Sequence, residues 1–202
     1  MKNKFFLATT PVFLVLQAAC YWTIKLFQSD YHTFDFWIDN AIPFVPAFVY
    51  VYNLFYPYTL VCYYLLYRAD REKYTRTLIA GIISVLACYA VYLVYPTVMV
   101  RPDASPLGGI TGRFLAFTYA MDEPAVNCCP SIHCLFAFLV MGSGFFSDKI
   151  KIKKSLKVVF FAGSLLIVFS TFFIKQHYVL DAVTALAVYL GAWFAAGKIH
   201  RR

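Results

Sequence analysis

The feature that most constrains this chain is a series of six apolar stretches. They lie near residues 5–27, 41–67, 78–98, 130–146, 156–174 and 178–197. About 20 predominantly apolar residues cross a bilayer as a helix, and the stretch at 130–146 is the shortest of the set. Inside lipid every backbone polar group needs an internal partner, so stretches of this kind are read as helices. Composition agrees, with 61% hydrophobic and only 14% charged residues. A soluble domain is about half apolar and a quarter charged, so this chain lacks the polar residues to coat a water-facing surface. A soluble enzyme, a disordered chain and a nucleic-acid binder are therefore excluded, despite a net charge of +8. The expected fold is all-α: a single domain over 1–202 built as a bundle of six transmembrane helices. The first stretch passes Gln17-Ala18-Ala19-Cys20, which faintly resembles a signal-peptide cleavage site. Its apolar run continues to Phe27, longer than a signal core, and it is read as an uncleaved span.

Charge sets the orientation. Lys2, Lys4, Arg68, Arg71, Lys73, Arg76, Lys149, Lys151, Lys153, Lys154, Lys157, Lys198, Arg201 and Arg202 fall on one side of the expected bundle. The other side holds only Lys25, Arg101, Arg113 and Lys175, together with Asp30, Asp35, Asp39, Asp103, Asp122, Glu123 and Asp181. Loops rich in Lys and Arg stay cytoplasmic, which puts both termini inside. The basic excess is then a topology signal, with attraction to anionic lipid as a secondary effect. The reading is an integral, multi-pass protein of the plasma membrane.

Polar residues that an apolar span should exclude carry the functional information. An acid within a span costs about 2.5–3.5 kcal/mol on the insertion scale, so Asp181 needs a reason. His177 precedes it by four residues, one helical turn away and on the same face. Asp181 is then placed to accept a hydrogen bond from one ring nitrogen and leave the other as a nucleophile or base. The alternative is a buried pair that only ties helices together. A second element, Cys129-Pro130-Ser131-Ile132-His133, opens the fourth stretch. Pro is favoured at the first position of a helix, and the unpaired N–H groups there, Ile132 among them, bind anions. Ser131 adds a hydroxyl and His133 an acid or base. Third, Arg101-Pro102 follows the third stretch, where an arginine also commonly snorkels. The charge rule puts Arg101, His133, His177 and Asp181 on one external face. Two imidazoles, a carboxylate, a guanidinium and a helix start suit phosphoryl transfer without an obvious metal.

At these residues the chain resembles the type-2 phosphatidic acid phosphatase superfamily of membrane phosphatases and phosphotransferases. Its three motifs are Lys-x6-Arg-Pro, Pro-Ser-x-His and Ser-Arg-x5-His-x3-Asp. Here they correspond to Arg101-Pro102, to Pro130-Ser131-Ile132-His133, and to Ser170-Thr171 followed by His177 and Asp181. The match covers about 78–197, and the first two spans match in architecture alone. The resemblance implies that His177 attacks phosphorus and forms a phosphohistidine, with Asp181 orienting it. His133 would protonate the leaving oxygen and then activate water or an alcohol. Arg101, Ser131 and the helix-start N–H groups would bind the phosphoryl oxygens. One such donor is worth about 2.7–4 kcal/mol, and a placed acid or base adds on the order of a hundredfold to ten-thousandfold.

Two family cations are absent: Val94 stands at the lysine position and Thr171 at the arginine position. Lys175 and Arg113 are the candidate replacements. Ser-Thr-x5-His-Tyr-x2-Asp resembles the branch holding inositol-phosphorylceramide and sphingomyelin synthases, which move phospho-headgroups between lipids. The leading expectation is a metal-independent phosphatase acting on a lipid phosphate or polyprenyl diphosphate at the extracytoplasmic face. Headgroup transfer is the alternative, and a haem-binding protein, a transporter or an inactive lipid binder are alternatives of another class. No cofactor, metal, nucleic acid or obligate protein partner is expected. Cys20, Cys62 and Cys88 read as packing residues, and Cys128, Cys129 and Cys134 show no metal-ligand spacing. The loop 99–129 contains Gly108, Gly109 and Gly112 as flexible points, with a short interfacial helix at 114–121 carrying Phe114, Phe117 and Tyr119 into lipid.

Overall fold

The computed structural model describes residues 4–34, 36–143 and 152–200. Outside them lie the end of the fourth expected span at 144–146, Lys149 and Lys151 of the basic loop, and Lys2, Asp35, Arg201 and Arg202. The regular elements of the described residues are all helices: α1 (Lys4–Lys25), α2 (Trp37–Ala41), a 3-10 turn (Pro46–Phe48), α3 (Val49–Asn53), α4 (Phe55–Ala69), α5 (Arg71–Val94), α6 (Gly109–Ala120), α7 (Ile132–Gly142), α8 (Lys154–Phe173) and α9 (Val179–His200). Four of these, α1, α5, α8 and α9, are long and apolar enough to cross a membrane. An integral, multi-spanning membrane protein is consistent with them.

Helix boundaries follow local chemistry. Asp70 caps α5 by accepting from the Lys73 N–H at 3.0 Å, so α5 starts seven residues before the expected span at 78. Such a cap is worth about 1 kcal/mol. The stretch expected at 41–67 is not one helix. It runs from the 3-10 turn through α3 to α4, with Leu54 joining the last two while still donating to Tyr50 and accepting from Tyr58.

Polarity is distributed as a lipid solvent requires. Leu7, Val15, Leu86, Val158, Val183 and Phe194 are exposed, whereas Thr10, Gln17, Thr59, Thr77, Ser84, Ser164 and Ser170 are buried. Small and hydroxylated residues between helices permit close packing and hydrogen bonds where lipid offers neither water nor a hydrophobic driving force. Tyr74 shows this at one end of the bundle. Its hydroxyl meets Thr9 and Thr10 at 2.5 and 2.6 Å, tying α5 to α1. Further in, α5 packs along α9, and α7 packs on α8 and α9.

At the other end, α6 lies over α3 through Val49, Tyr52, Leu115 and Tyr119. The expected interfacial helix is thus found five residues earlier than predicted, and only part of its apolar face turns outward. Phe117 is exposed, but Phe114 packs against this cluster and Tyr119 is buried. Two of the three glycines have definite geometric roles. Gly109 turns the chain at φ 73°, and a Cβ on Gly112 would stand 2.0 Å from the Leu107 carbonyl oxygen. They let the loop fold tightly onto the helix it precedes. Short extended pairings, His32 with Thr97 and Val98 with Val126, lace the remaining loops across this end.

Candidate active site

The third motif is assembled by a turn rather than by a helical face. The α8 carbonyl of Thr171 accepts the N–H groups of Gln176 and His177, at 2.8 and 3.2 Å, with Lys175 at φ 51°. His177 therefore precedes α9, whose first residue is Val179. Tyr178 is the capping residue, and Asp181 occupies the third helical position. From there its Oδ2 reaches back to the Tyr178 N–H at 2.9 Å, the carboxylate half of a capping box. The same oxygen lies 3.1 Å from His177 Nδ1. The four-residue spacing suggests one helical face, but His177 lies outside α9 and the capping geometry is what brings the two together.

Helix α7 presents the second motif. Its N-cap is Ser131, whose Oγ accepts from the Cys134 N–H at 3.3 Å. Pro130 thus sits before the cap and not at the first helical position. The Ser131 N–H donates to the Asp181 carbonyl at 3.0 Å, which locks the starts of α7 and α9 together. His133, at the second helical position, stacks on Tyr52 with ring centroids 4.4 Å apart, and its ring lies 5.7 Å from that of His177. The preceding loop is held by Thr97, whose Oγ1 accepts from the Cys128 and Cys129 N–H groups at 3.1 and 2.9 Å. Tyr92 donates to the Pro130 carbonyl at 2.5 Å.

His133 and His177 line one cavity of about 250 Å³ together with Ile132, Gln176, Asp122, Asn127 and Cys128. Its walls are largely aromatic, from Tyr21, Trp22, Tyr52, Tyr56, Tyr92 and Phe117. Arg101 stands just behind this wall. It donates to Asp122 Oδ2 at 2.6 Å, to Gln176 Oε1, and to the Tyr119 carbonyl at 3.2 Å. Its Nε is buried without a partner.

The two candidate replacement cations are not brought to the cavity. The Lys175 ammonium donates to the carbonyls of Asp39 and Ile42 at 2.8 and 2.6 Å, so it pins the C-terminal end of α2. Arg113 is exposed on α6. Lys25, at the end of α1, is outside the lining too but touches three residues that form it, standing 3.2 Å from Asp122 Oδ1 and over the Tyr21 and Trp22 rings. Sequence reasoning used Lys25 and Asp122 as orientation signals only. Their clue was a charge beside the first span on the side poor in Lys and Arg. Asp39 was also missed. Its Oδ1 accepts from the Val179 N–H at 2.7 Å and so caps the helix that carries Asp181.

Burial shifts several groups around this end. Desolvation pushes the Cys128 thiol well up, with Asp181 and Asp122 adding to the effect. It takes Cys129 to about 11 and Tyr119 to about 12. Lys175 is lowered by desolvation, against the opposing pull of Asp39. All six cysteines are free thiols. One donor atom each from Cys128, His177 and Asp181 falls within 4.8 Å of the others. This arrangement offers an oriented imidazole, a second imidazole facing it, and cationic and N–H donors at one end of the bundle.

Comparison with curated proteins and with solved structures returned no match. The model of one protein family, the PAP2 superfamily, matches residues 25–195, a range that includes Arg101, His133, His177 and Asp181, and the protein belongs to that superfamily.

Proposed function

We propose that the protein is a lipid phosphatase of the plasma membrane, cleaving a lipid phosphate or polyprenyl diphosphate through a phosphohistidine on His177. Membership of an enzyme superfamily of phosphatase and phosphotransferase type supports the reaction class. The observation that carries the reading is the His177–Asp181 pair beside His133 in one cavity. Asp181 on Nδ1 makes Nε2 the basic nitrogen. Its lone pair attacks phosphorus while the bond to the leaving oxygen breaks, and His133 gives that oxygen a proton. Water then loses a proton to His133 and attacks the phosphohistidine, which restores His177. Arg101, the Ser131 hydroxyl and the Ile132 N–H stabilise the charge on the phosphoryl oxygens. Lys25, rather than Lys175 or Arg113, supplies the second cation. Catalysis in this reading needs no metal ion. Two further spans, through α3–α4 and through α7, complete six, with both termini cytoplasmic and the cavity opening to the extracytoplasmic side.

The test is phosphate release by the purified protein in lipid–detergent micelles with EDTA, from phosphatidate, phosphatidylglycerophosphate and undecaprenyl diphosphate. Release that survives EDTA and is lost in His177→Ala supports the reading. A second reading, transfer of a phospho-headgroup, is favoured by Asp122, which neutralises one of the two cations. A phosphodiester carries less charge than a monoester and suits a less cationic site. Silence on every monoester, with turnover of a diester donor and an alcohol acceptor, would select it.

A further inference from the structure

Beside the phosphoryl-transfer pair stands a thiol that the reaction above does not use. One donor atom each from Cys128, His177 and Asp181 lies within 4.8 Å of the other two, and all three residues are buried. Two of the three come from the turn into α9, the third from the loop ahead of α7. Asp181 is fully buried, and its Oδ1 has no hydrogen-bond partner, although Oδ2 has two. The Cys128 thiol has only weak backbone contacts, donating to the Ala125 carbonyl at 3.2 Å and meeting the Met99 backbone. An unsatisfied buried carboxylate oxygen next to an imidazole and a weakly held thiol is a ligand set.

Its chemistry is selective. Sulfur and imidazole nitrogen favour zinc-like ions, whereas magnesium and calcium prefer oxygen donors. Tetrahedral zinc, with bonds of about 2.0–2.3 Å, holds its donors about 3.3–3.6 Å apart. Closing the set from its present spread therefore takes a shift of about 1 Å or slightly more. Three protein donors leave a fourth position, and both Cys128 and His177 line the cavity, so that position opens into it.

We propose that Cys128, His177 and Asp181 form a site for a thiophilic divalent metal ion, and that the bound ion shuts the active site. As the metal–sulfur bond forms, the Cys128 S–H gives its proton to bulk water. Binding through Asp181 Oδ1 leaves the Tyr178 bond on Oδ2 intact; a metal on Nε2 also keeps the His177–Asp181 hydrogen bond, whereas a metal on Nδ1 replaces it as the ring proton moves to Nε2. Inhibition follows from either ring nitrogen. A metal on Nε2 takes the attacking lone pair, and a metal on Nδ1 leaves the proton on Nε2. Metal capture rests on the geometry alone; its inhibitory effect rests on the phosphohistidine reading.

The probe is Co²⁺ added to the full chain in micelles after EDTA and dialysis, followed by competition with Zn²⁺. The expected result is one ion per chain with thiolate-to-cobalt charge-transfer absorption, bleached by Zn²⁺. The band should vanish in Cys128→Ser and His177→Ala and persist in Cys62→Ser, whose thiol lies on α4 beside Tyr58. Helical circular dichroism and a single gel-filtration peak establish that each variant is folded. Zn²⁺ should also suppress phosphate release reversibly, with at least tenfold weaker inhibition in Cys128→Ser. Absence of the band in folded protein, or its survival in Cys128→Ser, would overturn the site. Binding without inhibition would overturn the shut-off. A cobalt band in a protein that releases no phosphate from any substrate would count against the phosphatase and leave the metal site standing.

Discussion

Asp39 provides the sharpest structural prediction, because its two roles separate under substitution. Its carboxylate accepts the Val179 N–H at 2.7 Å across 140 residues of sequence, and the residue is 8% exposed. Asp39→Ala removes a helix cap, which costs about 1 kcal/mol, and a charge at a helix N-terminus, worth about 0.3–1 kcal/mol. It also strands a buried N–H, and such a group costs about 1–3 kcal/mol, part of which the cap figure already includes. The combined loss is about 2–3 kcal/mol. Asp39→Asn keeps an acceptor and loses the charge, so it should cost about 1 kcal/mol or less. For a chain of this size each kcal/mol lowers the melting temperature by about 2–4 °C. Thermal unfolding in one detergent should therefore rank wild type above Asp39→Asn, and Asp39→Ala lowest by roughly 4–12 °C. Equal losses for the two variants, or none for alanine, would refute the capping argument.

Further predictions follow from the same contacts. Asp181→Asn should lower turnover by about ten-thousandfold, the order found when a catalytic imidazole is left in the wrong tautomer, or about 5.5 kcal/mol of barrier. Initial rates in folded protein check this, and a loss below tenfold contradicts it. Asp122→Asn frees Arg101 and Lys25 from a shared carboxylate. It should lower the inhibition constant for inorganic phosphate or vanadate by about tenfold, measured by competition with substrate, since one nearby charge is worth about 1–2 kcal/mol at an effective dielectric of 20 and roughly 8–16 Å. Unchanged or weaker anion inhibition would show that Asp122 does not oppose the substrate charge. Gly112→Ala puts a methyl group against the Leu107 carbonyl. It should loosen α6 and speed proteolysis within 99–120, while an unaltered digestion pattern would contradict the tight turn.

The motif residues were legible because their geometry is local. Four residues separate His177 from Asp181, and three separate Ser131 from Cys134, so capping alone brings each pair together. Hydropathy likewise marks α1, α5, α8 and α9, since lipid demands long apolar helices. It fails for the stretch at 41–67, where Pro46 and the joint at Leu54 divide the run without changing its polarity. Lys25, Asp122, Gln176 and Asp39 were illegible for a different reason. Lys25 meets Asp122 across 97 residues and Arg101 meets Gln176 across 75, with no period linking them. Lys175 illustrates the converse: proximity in sequence to His177 suggested a phosphate ligand, but the left-handed turn directs its ammonium to the C-terminal end of α2. Gly112 reads as a flexible point in the sequence, whereas the fold uses it for a close approach to the Leu107 carbonyl.

The central claim is that His177 carries the phosphoryl group. The most direct measurement mixes the protein with a radiolabelled lipid phosphate, quenches within the first turnover, and examines the denatured chain for bound label. The account predicts an acid-labile, base-stable phosphoenzyme whose label maps to the peptide containing His177. Trapping should disappear in His177→Ala, and in His133→Ala both the appearance and the decay of the label should slow, since one imidazole serves both steps. Steady phosphate release with no labelled protein, or label that maps elsewhere, would contradict it.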